Sequence, residues 1–249
     1  MPLATRIIPV LLRNGDSLVK GRNFDSSRVV GHALQAARIH QARGVDELVI
    51  LDVGATPENR GPNFKAIEKL TKDCFTPLTI GGGVRSLDDV RDLLNAGADK
   101  VIVETAWMAD YDLIPDAVAR IGSQAIVASV SHKGGYASSH CGQMTHVQGA
   151  IEMAELAVDM GAGEILLQSV DMDGMMQGYD TGLIGAVAKA VTVPVIASCG
   201  CGTYGHMLSA IKAGADAVAA GSLFLFEDAT PAGAAEYLAE QGVEVRLQA

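Results

Sequence analysis

Two glycine-rich turns carry the plainest chemistry in this chain. Gly81-Gly82-Gly83 follows Pro77-Leu78-Thr79-Ile80, and Ser198-Cys199-Gly200-Cys201-Gly202 follows Pro194-Val195-Ile196-Ala197. Glycine between a strand and a helix lets backbone N–H groups close on an anion, and the helix start adds a favourable dipole. The turns are copies of one another. Pro77, Gly83, Gly97, Ala98 and Asp99 recur 117 positions later as Pro194, Gly200, Gly214, Ala215 and Asp216; Gly44 and Glu47 recur at the same interval as Gly161 and Glu164. A repeated strand–turn–helix unit implies two equivalent anion sites, and so a small molecule with a phosphate at each end. Ala220-Gly221-Ser222 reinforces the second site. Its counterpart in the first copy is Glu104-Thr105: Thr105 matches Ser222, but Glu104 would repel a phosphate unless it turns away. Gly83, Thr105, Gly200, Gly221 and Ser222 are the candidate phosphate contacts. The plainer alternative is a pair of tight turns.

Four charged residues open apolar runs: Arg6, Glu47, Lys100 and Glu164. Two cations and two anions at strand starts could close a neutral salt-bridge ring, or they are four unrelated rim charges. Other clusters carry less. Cys199 and Cys201 form a lone C-x-C without the paired spacing of a zinc site, and they read as turn residues. His132, His140, Cys141 and His146 share a polar segment that reads as a solvated lid. No metal and no cofactor is expected.

Eight short apolar runs must position these groups, near 6–12, 47–52, 76–81, 100–104, 124–131, 164–169, 193–198 and 217–221, each followed by a helical pattern. Ser86 before Leu87-Asp88-Asp89 is a helix cap, and Gly97 ends that helix. Strict βα alternation, eight times, predicts an α/β fold: a (β/α)8 TIM barrel with a half-barrel internal repeat, one domain over residues 1–249. A flavodoxin-like open sheet is the alternative. The longest irregular segments, 13–28 and 132–146, follow strands 1 and 5 and should form the active face, because barrel sites lie at strand C-termini. The net charge of −10 argues against nucleic acid and anionic membranes as partners, while leaving room for a locally basic mouth. Met1–Val10 lacks a signal-peptide core and no apolar run is long enough to span a bilayer. Four irregularly spaced cysteines read as reduced thiols, giving a cytoplasmic expectation.

The stretches Arg6-Ile7-Ile8-Pro9, Val19-Lys20-Gly21, Asp46-Glu47-Leu48, Gly81-Gly82-Gly83, Gly97-Ala98-Asp99-Lys100-Val101, Gly122-Ser123-Gln124, Gly161 to Leu167, Asp171-Met172-Asp173-Gly174, Gly178-Tyr179-Asp180-Thr181 and Ala220-Gly221-Ser222 closely resemble the cyclase subunit of imidazole glycerol phosphate synthase. They span almost the whole chain. The resemblance implies a barrel paired with a glutaminase at its floor, ammonia passing up the interior through a gate at Arg6, Glu47, Lys100 and Glu164, and Gly174 among the phosphate contacts.

Departures from that family shape the functional expectation. The resemblance implies an aspartate at the end of strand 1 and another at the end of strand 5; here they are Leu12 and Ser131. Leucine moves no proton, and each positioned acid or base contributes about 10²–10⁴-fold to rate. Lys20, Asp52 and Asp173 are possible residual groups, with Asp16 and His132 further replacements on the upper face. Glu104, at a phosphate-contacting position of the family, is a third departure. Leu11-Leu12, Asp73 to Pro77 and Gly221 to Phe226 resemble a related branch tied to sugar amidation in surface-polysaccharide clusters. The expectation is therefore a barrel subunit of a glutamine-dependent amidotransferase that conducts ammonia from its glutaminase to an ATP-dependent sugar amidotransferase, its cyclase carboxylates lost. The alternative is an active cyclase, a lyase of histidine biosynthesis, with relocated acid and base groups. A sister-family isomerase also needs the strand-1 aspartate, so Leu12 counts against it.

Overall fold

The computed structural model describes residues 4–72 and 74–247, so residues 1–3, 73 and 248–249 of the stretches above lie outside it. In the first half, β1 (Arg6–Asn14) is followed by a hairpin of β2 (Ser17–Arg22) and β3 (Asp25–His32), then α1 (Ala33–Ala42), β4 (Leu48–Asp52), α2 (Phe64–Thr71), β5 (Leu78–Gly81), α3 (Leu87–Asn95), β6 (Lys100–Val103), α4 (Thr105–Ala109) and α5 (Leu113–Ile121). The second half repeats the plan. β7 (Ile126–Lys133) leads into the hairpin β8 (Tyr136–Ser139) and β9 (Met144–Gly149), then α6 (Ala150–Asp159), β10 (Glu164–Ser169), α7 (Thr181–Ala190), β11 (Val195–Ser198), α8 (Tyr204–Ala213), β12 (Ala217–Ala220), α9 (Ser222–Phe226) and α10 (Pro231–Glu240).

Eight parallel strands close on themselves in the order β1-β4-β5-β6-β7-β10-β11-β12, and β1 pairs with both β4 and β12. This is a (β/α)8 TIM barrel. The segments 13–28 and 132–146 are not irregular: each is largely an antiparallel hairpin laid on a barrel strand, β2–β3 on β1 and β8–β9 on β7. Their polar, glycine-broken sequences hid the strands, since the ribbons are partly exposed and lack the apolar signature of the barrel staves.

The repeat has a physical basis at residue level. Asp99 Oδ2 accepts the Leu78 N–H at 2.8 Å, and Asp216 Oδ2 accepts the equivalent Val195 N–H at 2.9 Å. Each aspartate ties the start of one strand to the start of the next. The hydroxyls of Ser86 and Thr203, also 117 positions apart, cap α3 and α8 by accepting the N–H groups of Asp89 and His206. Two cores result. One lies between strands and helices around Trp107, Leu48 and Ile165. The other fills the barrel interior with Ile8, Val49, Ile102, Val127, Leu166 and Ile196. Among the described residues no helix is long and apolar enough to cross a membrane.

Candidate active site

Alternate residues of a strand share a face, so every second residue of a barrel strand points inward. On β6 this series runs Lys100, Ile102 and, one residue past the strand end, Glu104; on β10 it runs Glu164, Leu166, Gln168; on β7, Val127, Ser129, Ser131. The interior is therefore charged at its floor, apolar in its middle and polar at its mouth.

At the floor the four strand-opening charges meet in a closed ring. Arg6 reaches Glu47 at 2.6 Å and Glu164 at 2.7 Å; Lys100 reaches Glu164 at 2.8 Å and Glu47 at 3.5 Å. Thr79 donates a further hydrogen bond to Glu47 at 2.5 Å. Burial works against the Glu47 charge, but the Thr79 hydrogen bond and the charges of Arg6 and Lys100 outweigh it and hold its pKa below the ordinary value. Burial likewise opposes the Arg6 charge, and Glu164 and Glu47 overcome it. The reading as unrelated rim charges does not fit this geometry.

The mouth is a cavity of about 620 Å³ at the C-terminal ends of the strands. It is lined from both halves of the repeat: Gly82, Gly83 and Thr105 from one, Gly200, Gly221 and Ser222 from the other, with Gly174 between. The two short helices α4 and α9 begin at Thr105 and Ser222. Gly200 has φ +95°, and a Cβ there would sit 2.0 Å from the Gly178 carbonyl oxygen. The second turn thus needs glycine for its own packing as well as for any anion. The mouth is not basic: among the described residues Lys20 is its one lining cation, against Asp25, Asp52, Glu58, Glu104 and Asp173. A phosphate here would have to rest on backbone N–H groups, hydroxyls and helix starts.

The carboxylates differ in what holds them. Asp52 is buried, with Arg60 on both oxygens at 2.7 and 3.0 Å and Arg13 at 3.5 Å. Asp173 accepts from Lys20 Nζ at 2.6 Å and from the Phe24 N–H at 3.2 Å, which pins the β2–β3 hairpin over the mouth. Lys20 is thereby occupied within the protein. Asp25 and Glu58 are exposed on the rim. Glu104 is held by neutral groups: Ser129 donates to it at 2.8 Å and Ser131 at 2.5 Å, and Gln168 donates to Ser129 at 3.0 Å. Burial raises the Glu104 pKa, and the two serine hydrogen bonds only partly offset that. The expected clash of Glu104 with a phosphate at the first site is corrected by this orientation, because its carboxylate turns onto the serines of β7.

Other candidates separate from the site. Leu12 lines the mouth and packs on the interior core. Asp16 is exposed in the β1–β2 turn. His132 faces away from the interior, since Ser131 beside it faces in; its Nε2 lies 3.9 Å from Asp180. Ser139 bridges His140 and His146 at 3.0 and 2.8 Å, and among the described residues no group of His, Cys, Asp or Glu could hold a metal. Burial pushes the Cys199 thiol up to about 12 and that of Cys201 to about 11. What sequence reasoning missed was the Glu104–Ser131 contact, across neighbouring strands and 27 residues. The inward series on β6 was the available signal.

The family of histidine biosynthesis proteins matches residues 6–230. The chain is 43% identical over 251 residues to the imidazole glycerol phosphate synthase subunit HisF of Streptomyces coelicolor, covering 99% of this chain and 100% of the relative. It is 42% identical over 255 residues to the subunits of the same name from Mycobacterium bovis and Mycobacterium tuberculosis, covering 98% of this chain and 96% of each relative. These similarities, along nearly the whole length, overturn the expectation of a sugar-amidation conduit and of a sugar amidotransferase as partner. The structure supplies a physical reason: Leu12 lines the mouth and Ser131 donates to Glu104, and although neither is a carboxylate, the mouth still holds Asp52, Glu104 and Asp173.

Proposed function

The chain belongs to the family of histidine biosynthesis proteins, and we propose that within it the chain is the cyclase subunit of an imidazole glycerol phosphate synthase. In this reading a glutaminase docks at the barrel floor. Its ammonia enters past Arg6, Glu47, Lys100 and Glu164, crosses the apolar interior and meets a substrate phosphorylated at both ends. One observation carries the reading: glycine turns from both halves of the repeat line a single cavity directly above a charged floor. Gly83 with Thr105 holds one phosphate; Gly174, Gly200, Gly221 and Ser222 hold the other. The apolar layer of Ile8, Val49, Ile102 and Leu166 suits neutral ammonia and rejects ammonium, because an unpaired cation in an apolar interior is costly.

The test is direct. Purified protein is given ammonium salt at pH 8 and the ribulosyl formimino aminoimidazole carboxamide ribonucleotide substrate. Product formation above the protein-free blank is expected, and so is ligand-dependent protection against heat. No turnover at any protein concentration from pH 6 to 9 overturns the proposal.

A further inference from the structure

We infer that Glu104 is the catalytic acid–base residue of this mouth, moving protons between incoming ammonia and the substrate carbonyl; the inference rests on the cyclase reading above. Its position is the first argument. Lys100 and Ile102 stand on the inward face of β6, and Glu104, one residue past the strand end, turns inward onto Ser129 and Ser131, so its carboxylate is reached above the apolar layer. Its partners are the second. Asp52 and Asp173 are locked to cations, whereas Glu104 holds only hydroxyls, which can follow it through a change of protonation by rotating. A carboxyl among neutral groups and apolar side chains is the kind whose proton affinity rises towards the working pH of an enzyme. The third is asymmetry. The residue 117 positions later is Gly221, which has no side chain, so the carboxylate exists in one half of the repeat only.

The chemistry needs a single such group. The ribulosyl arm is a ketose. Ammonia forms a C–N bond at the ketone carbon while the C=O π pair moves to oxygen. The nitrogen then gives up two protons in turn; the oxygen takes two and leaves as water as C=N replaces C=O. Nothing is oxidised or reduced. Two protons travel from nitrogen to oxygen, and one carboxyl that alternately accepts and donates returns to its starting state. Glu104 therefore supplies the function that Leu12 and Ser131 lack, with Ser131 retained to orient it.

The experiment compares wild type, E104Q and E104D with saturating ammonium, reading kcat, KM and the pH profile. The Glu104→Gln amide keeps an oxygen for both serines, so the melting temperature should move little. We expect kcat to fall about 10²–10⁴-fold with KM within a few-fold, and partial recovery in E104D. The acidic limb of the wild-type profile should lie above the ordinary glutamate range and vanish in E104Q. Wild-type turnover with E104Q retaining a tenth or more of kcat, or the same limb, overturns the assignment alone. A wild type without turnover overturns the cyclase reading and the assignment with it. A large change in KM with kcat untouched makes Glu104 a binding residue and likewise refutes its proton-transfer role.

Discussion

Removing one charge from the floor ring should expose how the ring is built. In Glu47→Gln, the Thr79 hydrogen bond survives on the amide oxygen, but Arg6 and Lys100 are left with Glu164 alone. The ring then carries a net positive charge at the foot of an apolar interior. Breaking a buried ion pair from one side costs about 3–5 kcal/mol. Arg6 and Lys100 keep 24% and 23% of their side-chain surface, so part of that is screened and about 2–4 kcal/mol is the better figure. For a chain of this size each kcal/mol lowers the melting temperature by about 2–4 °C. A fall of roughly 5–15 °C follows, measurable by calorimetry. The double variant with Arg6→Met is the sharper assay. It removes one cation and one anion and leaves the 2.8 Å Lys100–Glu164 pair intact and neutral. It should lose less than the two single variants together, by at least about 1 kcal/mol. Because Glu47 titrates below its ordinary value of 4.5, its contribution is fully present above that pH and is lost as pH falls through the lower, folded value. The deficit of E47Q should thus shrink in acid. Strict additivity, or a melting point within a degree or two of wild type, refutes the ring as a coupled unit.

Three other outcomes follow from the geometry. Gly82→Ala should destabilise the protein: φ is +104° and the new Cβ would lie 2.3 Å from the Asp52 carbonyl oxygen, so the conformation alone costs about 1–3 kcal/mol, with a lower melting temperature as the check. Asp173→Asn should free the β2–β3 hairpin while leaving the barrel intact, because it strips Lys20 of its charged partner; faster amide exchange at 20–27 and unchanged exchange in β5 and β11 is the expected pattern. Cys199 should resist alkylation at pH 8, where a thiol at about 12 is only about one part in ten thousand thiolate; fast labelling of that residue in the folded protein would contradict the burial assigned to it.

What was legible in the sequence was whatever depends on local backbone roles. Asp99 and Asp216 each hold the preceding strand start, Ser86 and Thr203 cap helices, and Gly97 and Gly214 leave helices with positive φ; such jobs demand particular residue types at fixed spacing, so the copies persisted as a readable repeat. The ring was half legible. Four strand-opening charges could be read off, but whether they meet depends on barrel closure, which no spacing along the chain encodes. Glu104 was misjudged for the same reason. Reading position by position placed it at an anion site and Ser131 at a lost catalytic site, whereas in space the two are one unit joined across β6 and β7.

Symmetry also explains why the chemistry should sit where the halves disagree. A two-fold scaffold is well suited to gripping two phosphates, since the same turn serves both. It is poorly suited to reacting at one carbon of a ligand whose ends look alike, because equivalent groups would favour neither orientation. The departures from the repeat supply the direction. Lys20, on the first hairpin, has Ala137 as its counterpart 117 positions on, and Glu104 has Gly221. Of these two, Lys20 is neutralised by Asp173, so its contribution is to hold the hairpin down. Glu104 remains to mark one side of the mouth as the reacting side. A second carboxylate introduced by Gly221→Glu would blur that distinction and put a negative charge on the more complete phosphate site. Substrate affinity should then fall well over tenfold in direct binding measurements; unchanged affinity would mean that Gly221 and Ser222 do not hold a phosphate.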